Sequence, residues 1–489
     1  MRRSTCAVLV LMLGVCLATP LYAHHVKQSA SASMPVTTSS AQARSLYEKG
    51  MQDYEYLYLE RCNDDWRAAV KEDPSLAVAW AWIAFNSSNP QEVSVAREKA
   101  KALAPKATKG EQLMIAWIAK VQEGDFIGGI SAMNDLLEMY PKDKHVLYLA
   151  GNWLMLEDGD EQALRIMEKA LALDKNYPAA LNDLAYLYAR NRQFAKAFAA
   201  MDRYVALLPK EPNPQDSYGE LLRMAGNFEG SLQHYRAALK IDPDFVTSQV
   251  GLGDTYALMG NQEQARVEYD KAIRFAHNEA DRLAYGMQKA MTWVRDGKFS
   301  EADKLFQEIA QTGHAKEQDL QEAQAYRHLA EYQTDDNAAL KYLQDAEGAL
   351  GQRISKNDKD EELSRILRNR AVRAAHAGNQ ELAGKSLKQL EAMASGSRNR
   401  VIQSSYNGAA GTLLMSQANN DQKKFNEAIA YLEEDQDNPF TMELLVQAYY
   451  QTSQPEKLHE AEARLRGTNV PTMEQALVVP AARSRRPQI

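Results

Sequence analysis

Along residues 225–245, AGNFEGSLQHYRAALKIDPDF, the non-polar and small positions fall at helical spacing. Ser231, Tyr235 and Ala238 are separated by four and three residues, which sets them on one side of a helix. Gly226-Asn227 opens the stretch with a turn signal, and Asp242-Pro243 closes it. Proline disfavours helical geometry in the residue before it, so the helix is predicted to stop at Asp242. Alanine is abundant throughout the chain, and glycine and proline sit at intervals rather than in runs. That distribution predicts helices, not sheets.

The same pattern returns at a fixed interval. A shift of 34 residues aligns Gly219 with Gly253, Ala185 and Gly151, and Ser231 with Ala265, Ala197 and Ala163. Tyr235 aligns with Tyr269, Met201 and Met167, and Ala238 with Ala272 and Ala170. Internal self-similarity of this length is the signature of a helical repeat. Each unit reads as a helix, a short turn and an antiparallel helix. The small residues let the two backbones approach, and Gly226 and Gly260 suit the left-handed cap of the first helix. One unit cannot bury its apolar face alone, so neighbours must stack into a solenoid.

These residues resemble the tetratricopeptide repeat (TPR) motif, which has a small residue at place 8, Ala at 20, an aromatic at 24, Ala at 27 and Pro at 32. Residues 212–245 fit closely, with Gly219, Ser231, Tyr235, Ala238 and Pro243. Residues 246–279 fit apart from His277 at the proline place, and 43–76 fit with Gly50, Cys62, Trp66, Ala69 and Pro74. Residues 77–107 form a shortened unit, 110–143 a loose one, and 144–177 and 178–211 fit well except for Tyr204. Beyond residue 280 the spacing stretches, but Ala302, Ala339, Ala383 and Ala428 continue the small column, and 440–465 reads as a capping helix pair. The resemblance implies an all-α, right-handed superhelical solenoid of about eleven units. A well-matched array is expected over 43–279 and a diverged one over 280–466.

The flanks differ. Residues 1–23 carry Arg2 and Arg3, an apolar run from Ala7 to Ala18 and a small residue at Ala23, which reads as a cleaved secretory signal. The run is too short to span a bilayer as a helix. The rival is a lipoprotein signal in LGVC with Cys16 acylated, the one route by which membrane contact is expected. Residues 24–42 read as a low-complexity tether and 467–489 as a disordered tail ending in Arg483, Arg485 and Arg486. The expected location is exported: periplasmic, extracellular or anchored through Cys16.

Charge then narrows the function classes. Without residues 1–23, Lys plus Arg falls from 57 to 55 against 65 acids, a net charge of −10, which argues against nucleic-acid binding. Cys62 is then alone, so no intrachain disulfide is expected, and its place in the motif makes it a packing residue. No HExxH, paired cysteines, GxSxG elbow or GxxxxGK[ST] loop occurs. GLGDTY (251–256) lacks the third glycine of a phosphate loop, and Gly253 already has a packing role. No enzyme activity and no cofactor are expected. His24-His25 is the one metal alternative, as a copper-chelating mature terminus.

In TPR proteins the first helices of successive units line a concave groove. The resemblance places Tyr47, Met51 and Tyr54 of the first unit there, then Phe85, Met114 and Ile118. Tyr148, Asn152 and Met155 follow, then Asn182, Tyr186 and Arg190, then Asp216, Glu220, Arg223 and Asp254. An aromatic, Met-rich half followed by an acidic half would suit a peptide or amphipathic helix. The expected function is thus a non-catalytic scaffold or adaptor that binds a protein or peptide partner, with an envelope assembly factor as its sharper form. A metal-binding or enzymatic envelope protein and a self-associating structural protein are the alternatives.

Overall fold

A computed structural model describes residues 33–485 apart from residues 88, 157, 158 and 352. The expected signal, Cys16 and His24-His25 lie outside the described residues. Twenty-five α-helices follow one another among the described residues. The first seven pairs are α1 (Ala41–Glu55) with α2 (Leu59–Glu72), α3 (Ala77–Asn86) with α4 (Pro90–Leu103), α5 (Lys109–Glu123) with α6 (Phe126–Met139), α7 (Lys144–Leu156) with α8 (Asp160–Leu173), α9 (Pro178–Arg190) with α10 (Phe194–Leu207), α11 (Asn213–Met224) with α12 (Phe228–Ile241) and α13 (Val246–Leu258) with α14 (Gln262–Phe275). Five more are α15 (Glu279–Arg295) with α16 (Phe299–Ala315), α17 (Asp319–Tyr332) with α18 (Asp336–Ala349), α19 (Lys356–His376) with α20 (Gln380–Ser395), α21 (Arg400–Ser416) with α22 (Gln422–Leu432) and α23 (Pro439–Gln451) with α24 (Pro455–Arg466). The last helix, α25 (Met473–Ser484), is unpaired. The array is an all-α solenoid of twelve pairs, because the pair expected as a cap is built like the rest.

The repeat columns have a direct steric meaning. A Cβ on Gly219 would lie 3.0 Å from Tyr235, one on Gly253 2.6 Å from Tyr269, and one on Gly50 2.5 Å from Trp66. Gly151 meets Met167 in the same way. The small place of the first helix is the floor on which the aromatic of the second helix rests. The matching small residues of the second helices, Cys62, Ala163, Ala197, Ser231, Ala265, Ala302, Ala339, Ala383 and Ala428, are all buried. Cys62 is thus a packing residue, and burial raises its thiol pKa to about 12.

The turns follow from the same chemistry. Gly226 and Gly260 have φ of 83° and 86°, left-handed geometry that glycine adopts without strain. The asparagine that follows each glycine caps the second helix, Asn227 accepting from Gly230 N–H at 3.1 Å and Asn261 from Gln264 N–H at 3.2 Å. Arg192 holds the equivalent turn at φ 55° and Leu57 at φ 66°. Three second helices, α2, α8 and α12, end on an extended aspartate, and Asp73, Asp174 and Asp242 each accept from the backbone two residues on.

From α7 onward each first helix touches the next first helix, whereas second helices pack on their own first helix and the following one. The first helices therefore lie inside the curve. Two segments close this inner side. Residues 33–40, expected as tether, are docked: Met34 N–H donates to Asp143 at 2.7 Å, Thr37 N–H to Glu111 at 2.9 Å, and the Thr38 hydroxyl to Asp73 at 2.5 Å. Helix α1 begins at Ala41, inside the range assigned to the tether, because Ser40 caps it by accepting from Ala43 N–H. Residues 473–484, expected as disordered tail, form α25, which packs on α15, α17, α23 and α24. Long-range burial of Met473 and Val479 supplies what the local sequence lacks.

Candidate protein-binding groove

The tight inner curve decides the fate of the expected groove residues. Of the sixteen, ten are buried: Tyr47, Met51, Met114, Ile118, Tyr148, Met155, Asn182, Asp216, Arg223 and Asp254. For these the expectation of an open, ligand-facing side chain is corrected, since each is buried within the array. Tyr54, Phe85, Asn152, Tyr186 and Glu220 are half-buried, and Arg190 is exposed.

In the first four units the aromatic residues form a chain of ring contacts. Tyr54 lies 5.0 Å from Trp82, which stacks on Trp66 at 5.4 Å, and Phe85 lies 5.9 Å from Trp117. Trp117 continues to Trp153 at 5.8 Å. This belt is inter-repeat core with only its rim accessible. Beneath residues 33–36 remains a cavity of about 320 Å³ lined by Met34, Tyr47, Met51, Met114, Val146 and Leu149.

The middle units hold a polar cluster. Tyr186 donates to Glu220 at 2.8 Å, Glu220 accepts from Arg223 at 3.2 Å, and Arg223 stands 3.9 Å from Asp254. Asp254 accepts from the Tyr269 hydroxyl at 2.7 Å, and Asp216 from the Ser248 hydroxyl at 2.6 Å. Burial pushes the Asp216 carboxyl up to about 7, the Ser248 hydrogen bond opposing it and Glu220 adding to it. Burial also raises Asp254 and lifts Asp183 to about 6. Asn152 donates to Asp183 at 2.9 Å, which orients its amide. Arg190 is held by the Met155 carbonyl at 2.8 Å and by Asp160 at 3.1 Å. Five of the sixteen residues (Tyr186, Asp216, Glu220, Arg223 and Asp254) thus converge on one patch, and the earlier ones are spread along the belt.

Beyond the sixteen, the inner surface carries contacts that the sequence reading does not pair. Glu55 meets His145 across the curve, joining the first unit to the fourth, and Tyr58 donates to Glu211 of the loop before α11. Burial lowers the His145 pKa, but the Glu55 carboxylate more than offsets this, so the imidazole ends above its ordinary value. A polar crevice of about 660 Å³ opens here, lined by Glu48, Gln52, Glu55, Lys144, His145 and Tyr177 among others. The Arg295 side chain reaches the Thr472 carbonyl at 3.5 Å. No 34-residue register signals these contacts, because they join units that are not neighbours.

Comparison with known proteins agrees with the repeat. A family profile described as "TPR repeat" matches residues 219–260, and one described as "Tetratricopeptide repeat" matches 246–278. The TPR repeat-containing protein YpiA of Bacillus subtilis (strain 168) is 25% identical over 172 residues, 35% of this chain and 41% of that protein. The peroxisomal targeting signal receptor of Kluyveromyces lactis is 23% identical over 201 residues, 40% of this chain and 36% of that protein. The chain thus spans less than half the length of either relative. The crystal structure of a tetratricopeptide repeat protein from Parabacteroides merdae ATCC 43184 aligns with 16% identity over 57% of this chain and 96% of that one, at a TM-score of 0.36. The profile matches and YpiA support the tetratricopeptide repeat family, whose members bind protein or peptide partners.

Proposed function

We propose that the chain is a non-catalytic scaffold that holds a segment of another protein along its inner surface. One observation carries this reading: that surface already binds non-helical polypeptide through backbone hydrogen bonds. Glu111 and Asp143 accept from the backbone of residues 34–37, and Arg223 donates to the Asn469 carbonyl at 3.4 Å. A wall that accepts main chain in this way selects for shape and a few side chains, as grooves for peptides do. The name of the Kluyveromyces relative, a receptor for a targeting signal, fits the same class. We place the protein in an exported compartment on the pattern of residues 1–23, with assembly of an envelope complex as its role.

A crosslinking pull-down from an envelope fraction tests this, comparing the full chain with Arg190→Glu plus Glu220→Lys. Circular dichroism checks that the variant keeps its helix content, since Arg190 also bonds Asp160 and Glu220 also bonds Arg223. A partner captured by the first protein and lost by the second supports the groove, whereas identical captures move the contact to the outer face. N-terminal sequencing of the recovered protein should begin at His24. An acylated Cys16 would replace the cleaved-signal reading with the anchored one.

A further inference from the structure

We propose that residues 468–484 are a displaceable strap: the chain's own ligand, held across the groove of the middle units until a partner segment of like chemistry replaces it. The inference rests on the reading of the inner surface as a peptide groove, and it names what competes for that groove.

The strap reaches far back along the chain. Asn469 donates its side-chain amide to the Met224 carbonyl at 3.3 Å, and its own carbonyl accepts from Arg223 at 3.4 Å. The Thr472 carbonyl accepts from Arg295 at 3.5 Å. Two arginines from α11 and α15 thus read successive stretches of one main chain. Next to them Met473 enters an apolar cluster with Leu283, Met287, Leu329 and Tyr332. The other side of α25 closes on α23 and α24 through Val478, Val479 and Ala482. Arg483 ties the strap's ends together, donating to Asn469 Oδ1 at 2.6 Å and to the Arg466 carbonyl at 2.9 Å.

Its polar grip on the groove is loose, and apolar burial of Met473 and Val479 carries the docking. The three polar contacts to the groove all lie beyond the usual 2.7–3.2 Å range of a good hydrogen bond. Arg223 Nε and Gln475 Oε1 are buried with no hydrogen-bond partner among the described residues. Such groups cost free energy that a better-fitting occupant recovers. The helix itself is weak, since Pro480 lies inside its 12 residues and supplies no N–H to the preceding turn. Docking, not propensity, holds α25. The partner that fits is a segment without helix that presents backbone carbonyls to Arg223 and Arg295, brings an acceptor to Arg223 Nε and follows with one unbranched apolar side chain in the place of Met473.

The test uses the full chain, its variant Met473→Asp and a fluorescein-labelled peptide of residues 467–485. Hydrogen exchange of the wild type comes first. Amides of 473–484 should exchange well before those of α23 and α24. Exchange of all three helices as one unit would make α25 an integral part of the fold and overturn the proposal, while leaving the groove reading in place. In Met473→Asp a charge in the apolar cluster releases the strap, and Asn469→Ala with Arg483→Ala gives a second release if that variant fails to fold. By anisotropy the peptide should bind the released protein at least tenfold more tightly than the wild type, because apparent affinity scales with the fraction of open groove. A released strap with no peptide binding would sink the proposal. Peptide binding with no partner in the envelope pull-down would sustain the strap and remove the envelope partner.

Discussion

Replacing Asp216 by Asn isolates the titration of the groove floor. The carboxyl is buried on α11, accepts from Ser248 at 2.6 Å and is pushed up to about 7, while an unfolded aspartate titrates near its ordinary value of 3.8. A folded pKa raised above the unfolded one gives stability that is complete below the unfolded pKa and is lost as pH rises through the folded pKa. The window is therefore pH 4 to 7. With about 1.4 kcal/mol per pKa unit, a rise of about three units is worth at most about 4 kcal/mol, and relaxation around the ionised carboxylate reduces it. Asn keeps an oxygen for Ser248 and carries no charge at any pH. The variant should match the wild type within about 1 kcal/mol at pH 4 and exceed it by about 2–3 kcal/mol at pH 8. Solenoids need not unfold in one step, so the probe should be local: native-state hydrogen exchange of α11 and α13 amides from pH 4 to 8, corrected for intrinsic rates. Equal pH slopes in the two proteins would show that Asp216 is not the titrating group. A variant less stable at pH 8 would mean that the ionised carboxylate is used, most directly as a partner of Arg223.

Three further substitutions check other steps. Gly253→Ala places a Cβ 2.6 Å from Tyr269 and should destabilise by about 1–3 kcal/mol in urea unfolding, whereas Gly384→Ala meets nothing within 4 Å inside α20 and should stabilise by about 0.5–1 kcal/mol; equal effects would refute the steric account of the column. Arg327→Met removes the cation bonded at 2.6 Å to both buried Glu362 and Glu331 and should cost about 3–5 kcal/mol with faster exchange in α17 and α19; a loss below about 1 kcal/mol would show that Arg365, 3.6 Å from Glu362, and His328, 2.8 Å from Glu331, suffice. Leu57→Gly relieves a left-handed residue that is half exposed and should raise stability by about 0.5 kcal/mol by calorimetry; a fall would mean that Leu57 packing outweighs its backbone strain.

What could be read from sequence is what one repeat imposes on its neighbour. Gly219 under Tyr235 and Gly253 under Tyr269 are contacts within one pair, so their spacing is written into the chain at every turn of the array. The same holds for Gly226-Asn227, where one residue ends a helix and the next starts another. The segment at 33–40 was opaque for the opposite reason. Ser40 has a local use as the cap of α1, but Met34, Thr37 and Thr38 are ordered by Asp143, Glu111 and Asp73, acids 35 to 109 residues away. Helix α25 was opaque too: Pro480 argues against it locally, and only α15, α17, α23 and α24 together argue for it.

The groove residues fall between these cases. Their places on the first helices followed from the motif, but their exposure depends on curvature, and curvature sums a small rotation at every interface. No single interface encodes that sum. A slightly wider curve would leave Tyr148 and Met114 facing an open channel. Here Glu55 reaches His145 and Tyr58 reaches Glu211, so the first unit closes on the fourth and on the loop before the sixth, and the same side chains become core. On the proposed reading, a partner has the rim, where Asn152, Tyr186, Arg190 and Glu220 keep access, and the floor beneath the strap. Binding at the rim leaves the curve as it is, whereas binding at the floor must first lift residues 468–484. The two modes are separable by whether a partner's on-rate is limited by exchange of α25.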